Sequence, residues 1–467
     1  MEPIESSSLW TSLQSSSDSQ QFLQSVSTQV MLSALQTGSA IRSHLRDLEG
    51  RSVLVAVQDQ LAAGLALLEL DGIASRIVLC PPGLSGESIP SIVRDASADV
   101  ILSDCEDSSF PDMPGVRRVL CETTIVEKAD IQREPSRETE WVLFTSGTTG
   151  RPKMAAHRLS SLTGAIKRNG GQAASTVWAT FYDIRRYGGL QIFLRAMLCN
   201  HSFLFSSADE PLNSHLDRLS AHGVTHLSGT PSHWRRVLMS ASARKIAPDY
   251  VRLSGEIADQ GVLDGLRALY PKARIVHAYA STEAGVGFEV DDEKEGFPAS
   301  FIGRRGDEVE LQVEDGTLRI RSSRAATGYL SDKSPRIVQD DGFVDTGDSV
   351  ELRGGRYYFV GREDGVINIG GQKVHPEEVE AVINRHPAVR MSLVCAKKNP
   401  ILGAVAVAEI VPKAEVGSGG NPSYEALENE IRAFCAGHLD RHKVPALIRF
   451  VPSLTMTAGG KLARHHA

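Results

Sequence analysis

Short apolar runs alternate with helix-length segments over the first part of the chain. Val53–Val57 is a predicted strand, Gln60–Leu70 a predicted helix and Arg76–Leu79 a second strand. A helix at Ser88–Ala96 and a strand at Asp99–Leu102 repeat the order. Such alternation favours a parallel sheet covered by helices.

The same texture returns further along the chain. The pattern predicts helices at Leu162–Asn169 and Gly189–Leu198, with extended segments at Val177–Tyr182 and Ser202–Phe205. Residues 1–50 are rich in Ser and Gln at first and then weakly helical, and we assign no chemistry to them.

After about Gly296 the pattern changes to short strands separated by turn residues, which predicts a small antiparallel sheet or barrel. Beyond Gly361 a further helix begins at Pro376, with strands after it. The predicted fold class is therefore α/β. A large N-terminal domain of βα-layered sheets with a small β-barrel-like portion covers residues 1–360, and a small mobile C-terminal α+β domain covers residues 361–467.

Composition narrows the class of protein. Of the 467 residues, 41% are apolar and 23% charged, as in a soluble globular protein. The net charge of −7 gives no overall attraction for nucleic acid or for an anionic membrane. The start lacks the basic and apolar parts of a signal peptide, and the six cysteines form no Cys-x-x-Cys pair. We therefore expect a cytoplasmic protein with reduced thiols, and no nucleic-acid or membrane partner.

A glycine- and hydroxyl-rich loop follows the predicted buried strand Trp141–Phe144. Its glycines allow backbone N–H groups to turn inward, its hydroxyls donate hydrogen bonds, and its lysine adds a cation, so it suits a polyphosphate. The spacing differs from that of the common P-loop. A flexible linker is the alternative, but a linker would not follow a buried strand and end in Pro-Lys. The candidate phosphate-binding residues are Thr145, Ser146, Gly147, Thr148, Thr149, Gly150 and Lys153.

Four further stretches occur in order after this loop. They are His277-Ala-Tyr-Ala-Ser-Thr-Glu-Ala-Gly285, Asp345-Thr-Gly-Asp348, Gly361-Arg-Glu-Asp-Gly-Val-Ile-Asn-Ile-Gly-Gly-Gln-Lys373 and Thr457-Ala-Gly-Gly-Lys461. Together with the loop they resemble the adenylate-forming superfamily of acyl-CoA synthetases, peptide-synthetase adenylation domains and luciferases. The acyl- or aryl-CoA ligase branch is the most similar.

The resemblance implies a nucleotide site. It implies adenine stacked on Tyr279, Thr282 near the α-phosphate, Mg²⁺ on Glu283, and the ribose hydroxyls on Asp348 with Arg362 as partner. An aromatic face beside a hydroxyl and a carboxylate suits these roles physically, although each residue alone would more often be a surface group. The implied ATP- and AMP-binding residues beyond the loop are Gly255, Glu256, Ile257, Tyr279, Ala280, Ser281, Thr282, Glu283, Asp348 and Arg362.

The resemblance also implies two half-reactions. Thr145, Glu283 and Lys461 have the catalytic roles, and Lys461 enters between the acid and the α-phosphate when the small domain closes. Asp364 matches the hinge. Rotation there would bring a thiol-binding face to the nucleotide, and we expect that face to include Gly370, Gly371 and Lys373.

The acid pocket is expected to include Tyr182, Arg186, Gly189 and His277. Arg186 stands where many relatives have a histidine or an aromatic residue. An arginine there could pair with a second anionic or polar group on a small or aromatic acid. The alternative, that Arg185 or Arg186 points to solvent or pairs with Asp183, stays equally open.

These observations lead to a predicted ATP- and Mg²⁺-dependent carboxylic acid:CoA ligase. It would form acyl-AMP and pyrophosphate, and then acyl-CoA and AMP. One alternative is a stand-alone adenylation enzyme that loads an acyl group onto a carrier-protein phosphopantetheine. A second alternative is a non-catalytic nucleotide-binding relative.

Overall fold

A computed structural model describes most of the chain. The described residues are 8–14, 20–84, 86–105, 112–127, 133, 135–145, 152–167, 176–304, 308–331, 334–399, 402–413, 423–456 and 462. Among them, no helix combines the length and apolar character needed to cross a bilayer.

Strands of the first part of the chain form two large sheets. In chain order they are β1 (Phe22–Gln24), β2 (Gln29–Met31), β3 (Gly38–Ile41), β4 (Ser52–Val55), β5 (Arg76–Leu79), β6 (Val100–Ser103), β7 (Arg117–Glu127), β8 (Glu140–Thr145), β9 (Lys153–Arg158), β10 (Val177–Thr180), β11 (Ser202–Leu204), β12 (His226–Gly229), β13 (Tyr250–Ser254), β14 (Arg274–Ser281) and β15 (Gly285–Val290).

Helices cover and separate these sheets. In chain order they are α1 (Leu9–Gln14), α2 (Gln60–Leu70), α3 (Ile89–Asp95), α4 (Leu159–Thr163), α5 (Tyr187–Leu198), α6 (Leu212–Ala221), α7 (Pro231–Leu238) and α8 (Gln260–Leu269). Short 3₁₀ helices are Leu32–Gln36, Leu45–Leu48, Gly86–Ser88, Ala241–Lys245, Ala299–Phe301, Glu363–Gly365 and Arg441–Lys443.

The remaining elements are β16 (Phe297–Pro298), β17 (Val309–Glu314), β18 (Thr317–Ser322), β19 (Gly328–Tyr329), β20 (Val344–Arg353), β21 (Arg356–Arg362), β22 (Ile367–Ile369), β23 (Gln372–Val374), α9 (Pro376–Asn384), β24 (Val389–Asn399), β25 (Gly403–Pro412), α10 (Tyr424–Ala436) and β26 (Leu447–Phe450).

Two eight-stranded sheets share one core. Sheet one has the order β19-β9-β8-β5-β4-β6-β7-β3, and sheet two has the order β15-β14-β13-β12-β10-β11-β1-β2. Helix α2 is buried over its whole length, and the core around it also contains α5 and strands of both sheets. Gly64 of α2 permits this close packing, since a Cβ there would lie 2.8 Å from Cζ of Phe205. The predicted layered α/β domain is confirmed.

Smaller sheets follow the large ones. Strands β16-β21-β20-β18-β17 form a five-stranded antiparallel sheet, which fits the predicted barrel-like portion. Strands β24-β25-β26 form a separate three-stranded sheet, and α9 and α10 share its core. The division at residues 360 and 361 stays a prediction, although β21 continues past it to Arg362.

Two predictions about local structure are wrong. The helix predicted at Leu162–Asn169 is Leu159–Thr163 in the structure. It begins earlier because N of Arg158 donates to the hydroxyl of Ser161, which in turn donates to the carbonyl of Arg158. Residues 164–167 are not helical, and residues 168 and 169 lie outside the described residues. Residues 1–50 are not merely weakly helical. Among the described ones, β1 and β2 complete sheet two and β3 pairs with β7 in sheet one, so long-range pairing overrides weak local preference.

Candidate active site

The glycine-rich loop connects two antiparallel strands. The register of β8 and β9 sets Thr145 directly opposite Lys153, so the residues at the two ends of the loop are neighbours. The loop residues Ser146, Gly147, Thr148, Thr149 and Gly150 lie outside the described residues.

Tyr329 connects the ends of this hairpin to Glu283. Its hydroxyl donates to Oε1 of Glu283 at 2.9 Å and also bonds the hydroxyl of Thr145. Nζ of Lys153 lies 5.4 Å from the centroid of the Tyr329 ring. Thr145, Lys153, Glu283 and Tyr329 therefore form one group, named here the Glu283 cluster. Burial raises the pKa of Tyr329 well above its usual value, so its hydroxyl stays protonated and able to donate.

The backbone beside Glu283 is held at two further points. Nε2 of His157 lies 2.8 Å from the carbonyl oxygen of Thr282, and a carbonyl only accepts, so Nε2 carries the proton. The carbonyl of Glu283 accepts from N of Ala326 at 2.9 Å. Burial lowers the pKa of His157 to about 4, which keeps this ring neutral near neutral pH.

Sequence reasoning missed Tyr329 and His157. Tyr329 belongs to a two-residue strand, β19, which pairs with β9 far from it in the sequence. His157 is fully buried in β9, a strand that the pattern did not predict. The only local signal was a histidine shortly after the phosphate loop.

The predicted ribose residues face each other across β20 and β21. Asp348 pairs with Arg362 in the register, and Nη1 of Arg362 lies 3.5 Å from Oδ1 of Asp348. The hydroxyl of Tyr279 donates to Oδ2 of Asp348 at 2.5 Å. Nε of Arg362 also donates to the predicted hinge residue Asp364 at 3.0 Å. The candidate adenine and ribose groups thus form one connected set, and their roles stay predictions.

Tyr279 lies among aromatic rings. Its ring is nearly parallel to those of Phe359, with centroids 5.2 Å apart, and Phe288, at 5.6 Å. An irregularity in the pairing of β14 with β15 falls between Tyr279 and Ala280, and it changes the alternation just before Ser281, Thr282 and Glu283.

Glu256 connects the start of α7 to the residue that follows Lys461. Its Oε2 accepts from N of Ser232 at 2.9 Å, and its Oε1 accepts from N of Leu462 at 3.2 Å. Gly255 precedes it with φ +88°, a conformation that favours glycine. The bond from Leu462, named here the Leu462 contact, connects the residue after Lys461 to the large domain. Lys461 itself lies outside the described residues.

The expected acid-pocket residues are only partly brought together. The hydroxyl of Tyr182 donates to the carbonyl of Ser254 at 2.7 Å, at the carboxyl end of β13. The ring of His277 instead donates from Nε2 to the carbonyl of Lys294 at 2.9 Å. A Cβ on Gly189 would overlap the carbonyl oxygen of Asp183, so this glycine has a packing role as well. Their place in an acid pocket stays a prediction.

The expected thiol-binding glycines lie in a tight turn. Gly370 and Gly371 connect β22 to β23 with φ +58° and +87°. N of Gly370 donates to the carbonyl of Leu402 and N of Gly371 donates to Oδ1 of Asn368, both at 2.9 Å. Lys373 is exposed on β23. The turn presents backbone and a cation to solvent, which suits contact with another molecule.

Comparison with known proteins agrees with these features. The human mitochondrial acyl-coenzyme A synthetase ACSM2B is 28% identical over 70% of this chain, and the chain spans 60% of that protein's length. The R195K form of MenE from E. coli, solved with OSB-AMS, is 21% identical with a TM-score of 0.74, covering 97% of this chain and 95% of that one. O-succinylbenzoate coenzyme A synthetase from Bacillus subtilis, solved with ATP and magnesium, is 19% identical with a TM-score of 0.70, covering 97% and 98%.

The family assignment rests on two matched segments. The model of the AMP-binding enzyme family matches residues 30–338, and the model of the AMP-binding enzyme C-terminal domain matches residues 378–461. The first match begins well before Trp141, where the motif resemblance begins. The chain therefore belongs to the AMP-binding enzyme family, the adenylate-forming group that its motifs resemble.

Proposed function

We propose that the protein is an ATP- and Mg²⁺-dependent carboxylic acid:CoA ligase acting on a small or aromatic acid. It converts acid and ATP to acyl-AMP and pyrophosphate, and then acyl-AMP and CoA to acyl-CoA and AMP. The observation that carries the proposal is the Glu283 cluster, in which a carboxylate, a hydroxyl and a cation meet at the ends of the phosphate loop. Such a set of groups suits a magnesium-bound triphosphate, and a flexible linker would not require it.

The residues fit a magnesium ion. Tyr329 occupies Oε1 of Glu283, and Oε2 has no protein partner among the described residues. No group of three or more His, Cys, Asp or Glu side chains suited to a metal occurs in the described part of the chain. Mg²⁺ usually takes one or two carboxylates with substrate phosphates and water, so Glu283 alone is a sufficient protein ligand. When bound, Mg²⁺ would neutralise charge on the phosphate oxygens.

The chain's own groups act on the first half-reaction by position and charge. The attacking carboxylate is already ionised, so no general base is required. Negative charge grows on the phosphate oxygens in the transition state, and Lys153 and the hydroxyl of Thr145 lie where they can stabilise it. Asp348 and Arg362 would hold the ribose, which orients the α-phosphate for in-line attack.

The Leu462 contact supports a role for Lys461 in this step. The amide that donates to Glu256 belongs to the residue after Lys461, and Glu256 is bound at the start of α7. Leu462 therefore lies beside the carboxyl edge of sheet two, and this supports the proposal that the preceding lysine acts on the same nucleotide. Release of the Leu462 contact, with rotation at Asp364, would free the site for the thiol.

The second half-reaction needs a thiol rather than a cation beside the acyl-AMP. The turn of Gly370 and Gly371 lets a narrow chain such as pantetheine approach the backbone, and Lys373 could pair with a phosphate of CoA. A carrier-protein phosphopantetheine has the same thiol arm. We propose coenzyme A as the thiol, because the segment from Val374 to Glu380 resembles the CoA ligase branch more than the peptide-synthetase branch.

Acid-dependent exchange of labelled pyrophosphate into ATP tests the adenylation step. We expect exchange with some member of a library of short and aromatic acids, and a loss of about 100-fold or more in Glu283→Gln. Glu425→Gln, at an exposed helix position, is the matched control and should behave as wild type. No exchange with any acid would favour a non-catalytic relative. Synthetic acyl-AMP offered with CoA or with a carrier protein separates the two ligase alternatives.

A further inference from the structure

Two adjacent arginines follow β10 and have opposite surroundings. Arg185 is buried and saturated: Nε and Nη2 donate to the two oxygens of Asp183 at 2.8 and 2.6 Å, and Nη1 donates to the carbonyl of Val57 at 2.5 Å. This resolves half of the alternative left open by the sequence, because Arg185 is the residue that pairs with Asp183.

Arg186 has no such partner. Its guanidinium makes no hydrogen bond or ion pair with any described residue, and its Nε is buried. The negative charge of Asp183 favours the protonated form of Arg186, but both oxygens of Asp183 are already bonded to Arg185. Burial lowers the pKa of Arg186, which reports the cost of keeping this cation away from water. A partly buried cation without a counter-ion is costly, and a bound anion would remove that cost.

The position of Arg186 is that of a substrate-binding group. Strands β10, β12, β13 and β14 are parallel, so the segment after β10 lies at the same edge as Gly229, Ser254 and Thr282. Ligands of open α/β sheets bind at this carboxyl edge.

Contacts on both sides of Arg186 reach the candidate active site. Tyr182 bonds the carbonyl of Ser254, and the ring of Tyr187 lies 5.8 Å from the ring of His157, which bonds Thr282. Tyr182 and Tyr187 flank Arg186 in the sequence, so the segment that carries Arg186 contacts, on both sides of it, the loops that we assign to the nucleotide and the acid.

The start of helix α5 strengthens the preference for an anion. Arg186 is the residue before the first turn of this twelve-residue helix, and no side chain caps that turn. The N-terminus of a helix carries partial positive charge from its unpaired N–H groups. The positive end of α5 therefore begins at Arg186 itself and adds to the positive charge of this residue.

We propose that Arg186 binds a second carboxylate on the acid substrate, so that the enzyme selects dicarboxylic over monocarboxylic acids. The inference rests on the proposed adenylation of an acid, and it names the class of that acid. One carboxylate reacts at the α-phosphate, and the other pairs with the planar guanidinium, which suits bidentate contact.

Matched acid pairs test the proposal through pyrophosphate exchange. Pentanoate is compared with pentanedioate, and 3-phenylpropanoate with 3-(2-carboxyphenyl)propanoate, so each pair differs by one carboxylate. We expect wild type to prefer the diacid in at least one pair. In Arg186→Gln the ratio of kcat/KM values, diacid over monoacid, should fall by about tenfold or more. Arg94→Gln removes an exposed arginine of helix α3, which contributes no residue to the candidate site, and it should leave the ratio unchanged.

A charge-reversed variant sharpens the test. Arg186→Glu should shift the preference toward acids that carry an amine, such as 5-aminopentanoate. Thermal melting of each variant separates misfolding from altered recognition. If Arg186→Gln does not fold, Arg186→Lys is assayed with the same acid pairs. We expect a smaller fall in the ratio, because lysine keeps the charge but lacks the bidentate guanidinium.

The remaining outcomes overturn the inference. An unchanged ratio in both Gln and Lys variants would show that Arg186 does not read the second carboxylate. An equal fall for both members of a pair would assign Arg186 to the reacting carboxylate or the phosphate. A wild type that exchanges only with monoacids defeats the inference but leaves the proposed function intact, whereas no exchange with any acid defeats both.

Discussion

The Glu283 cluster and the Leu462 contact are two parts of one candidate site with opposite construction. Glu283 is held by Tyr329, and its backbone is held by Ala326 and, through Thr282, by buried His157. Leu462 meets the large domain through one described hydrogen bond, to Glu256. This difference agrees with the proposed roles, because a side chain that binds a metal needs several partners to orient it, whereas a segment that is released between steps needs few.

The largest effect is expected from replacing Lys461, and it should differ between the two half-reactions. Lys461→Ala should slow acyl-AMP formation by about 100- to 1,000-fold, because a cation at the reacting phosphate is lost. Thioester formation from supplied acyl-AMP and CoA should change far less. Single-turnover assays of each step measure this.

Lys373→Ala is the matched variant for that comparison, since it also removes one lysine from the C-terminal part of the chain. It should slow thioester formation more than adenylation. Equal slowing of both steps in Lys461→Ala would contradict the proposal that the Leu462 contact forms for adenylation and is released for thioester formation.

A smaller effect is expected inside the Glu283 cluster. Tyr329→Phe removes the hydroxyl that orients Glu283 and should lower kcat/KM for MgATP by about tenfold, in the range seen for groups that orient metal ligands. The magnesium concentration for half-maximal rate should rise with it. Tyr424→Phe, at an exposed position of α10, is the control. Normal magnesium dependence in Tyr329→Phe would contradict a metal role for Glu283.

The Leu462 contact should respond more weakly. Glu256→Gln replaces one accepting oxygen by an amide that cannot accept from an N–H, so a single hydrogen bond of about 1 kcal/mol is lost. Adenylation should slow roughly threefold to tenfold by the same arithmetic. Thioester formation should be affected less, and equal slowing of both steps would argue for a general structural role of Glu256.

The pH dependence of stability tests His157. Its folded pKa of about 4 lies below the ordinary 6.5, so the contribution of the neutral ring is present above pH 6.5 and is lost as pH falls from there toward 4. The difference in unfolding free energy between wild type and His157→Gln should therefore narrow over that window, by up to about 3 kcal/mol.

Other groups titrate nearby but are common to both proteins. Burial raises the pKa of Asp71 to about 6, which acts in the opposite direction, and burial lowers that of His226 to about 4. Urea melts over this pH range compare wild type, His157→Gln and the exposed control His44→Gln. They measure the contribution of His157 alone to the free energy of unfolding. A constant difference across the window would mean that His157 is not held neutral by burial.

Much of this site was predictable because its signals are local. Strand β8 is a run of buried apolar residues that ends at the loop, and Asp348 and Arg362 come from motifs whose order identifies the family. A motif keeps its residue types and spacing wherever the chain folds, so the family and the layered α/β fold followed from the residues themselves.

Only the tertiary structure decided the partners. Lys153–Arg158 has little strand preference of its own, and it becomes β9 because β8 and β19 supply hydrogen bonds on its two sides. That pairing brings Tyr329 to Glu283 across 46 residues of sequence, and His157 to Thr282 across 125 residues. Arg185 and Arg186 are the same residue type in adjacent positions, and only the packing around Asp183 gives one a partner and leaves the other available. Sequence determines which groups exist and in what order, whereas long-range pairing determines which of them meet.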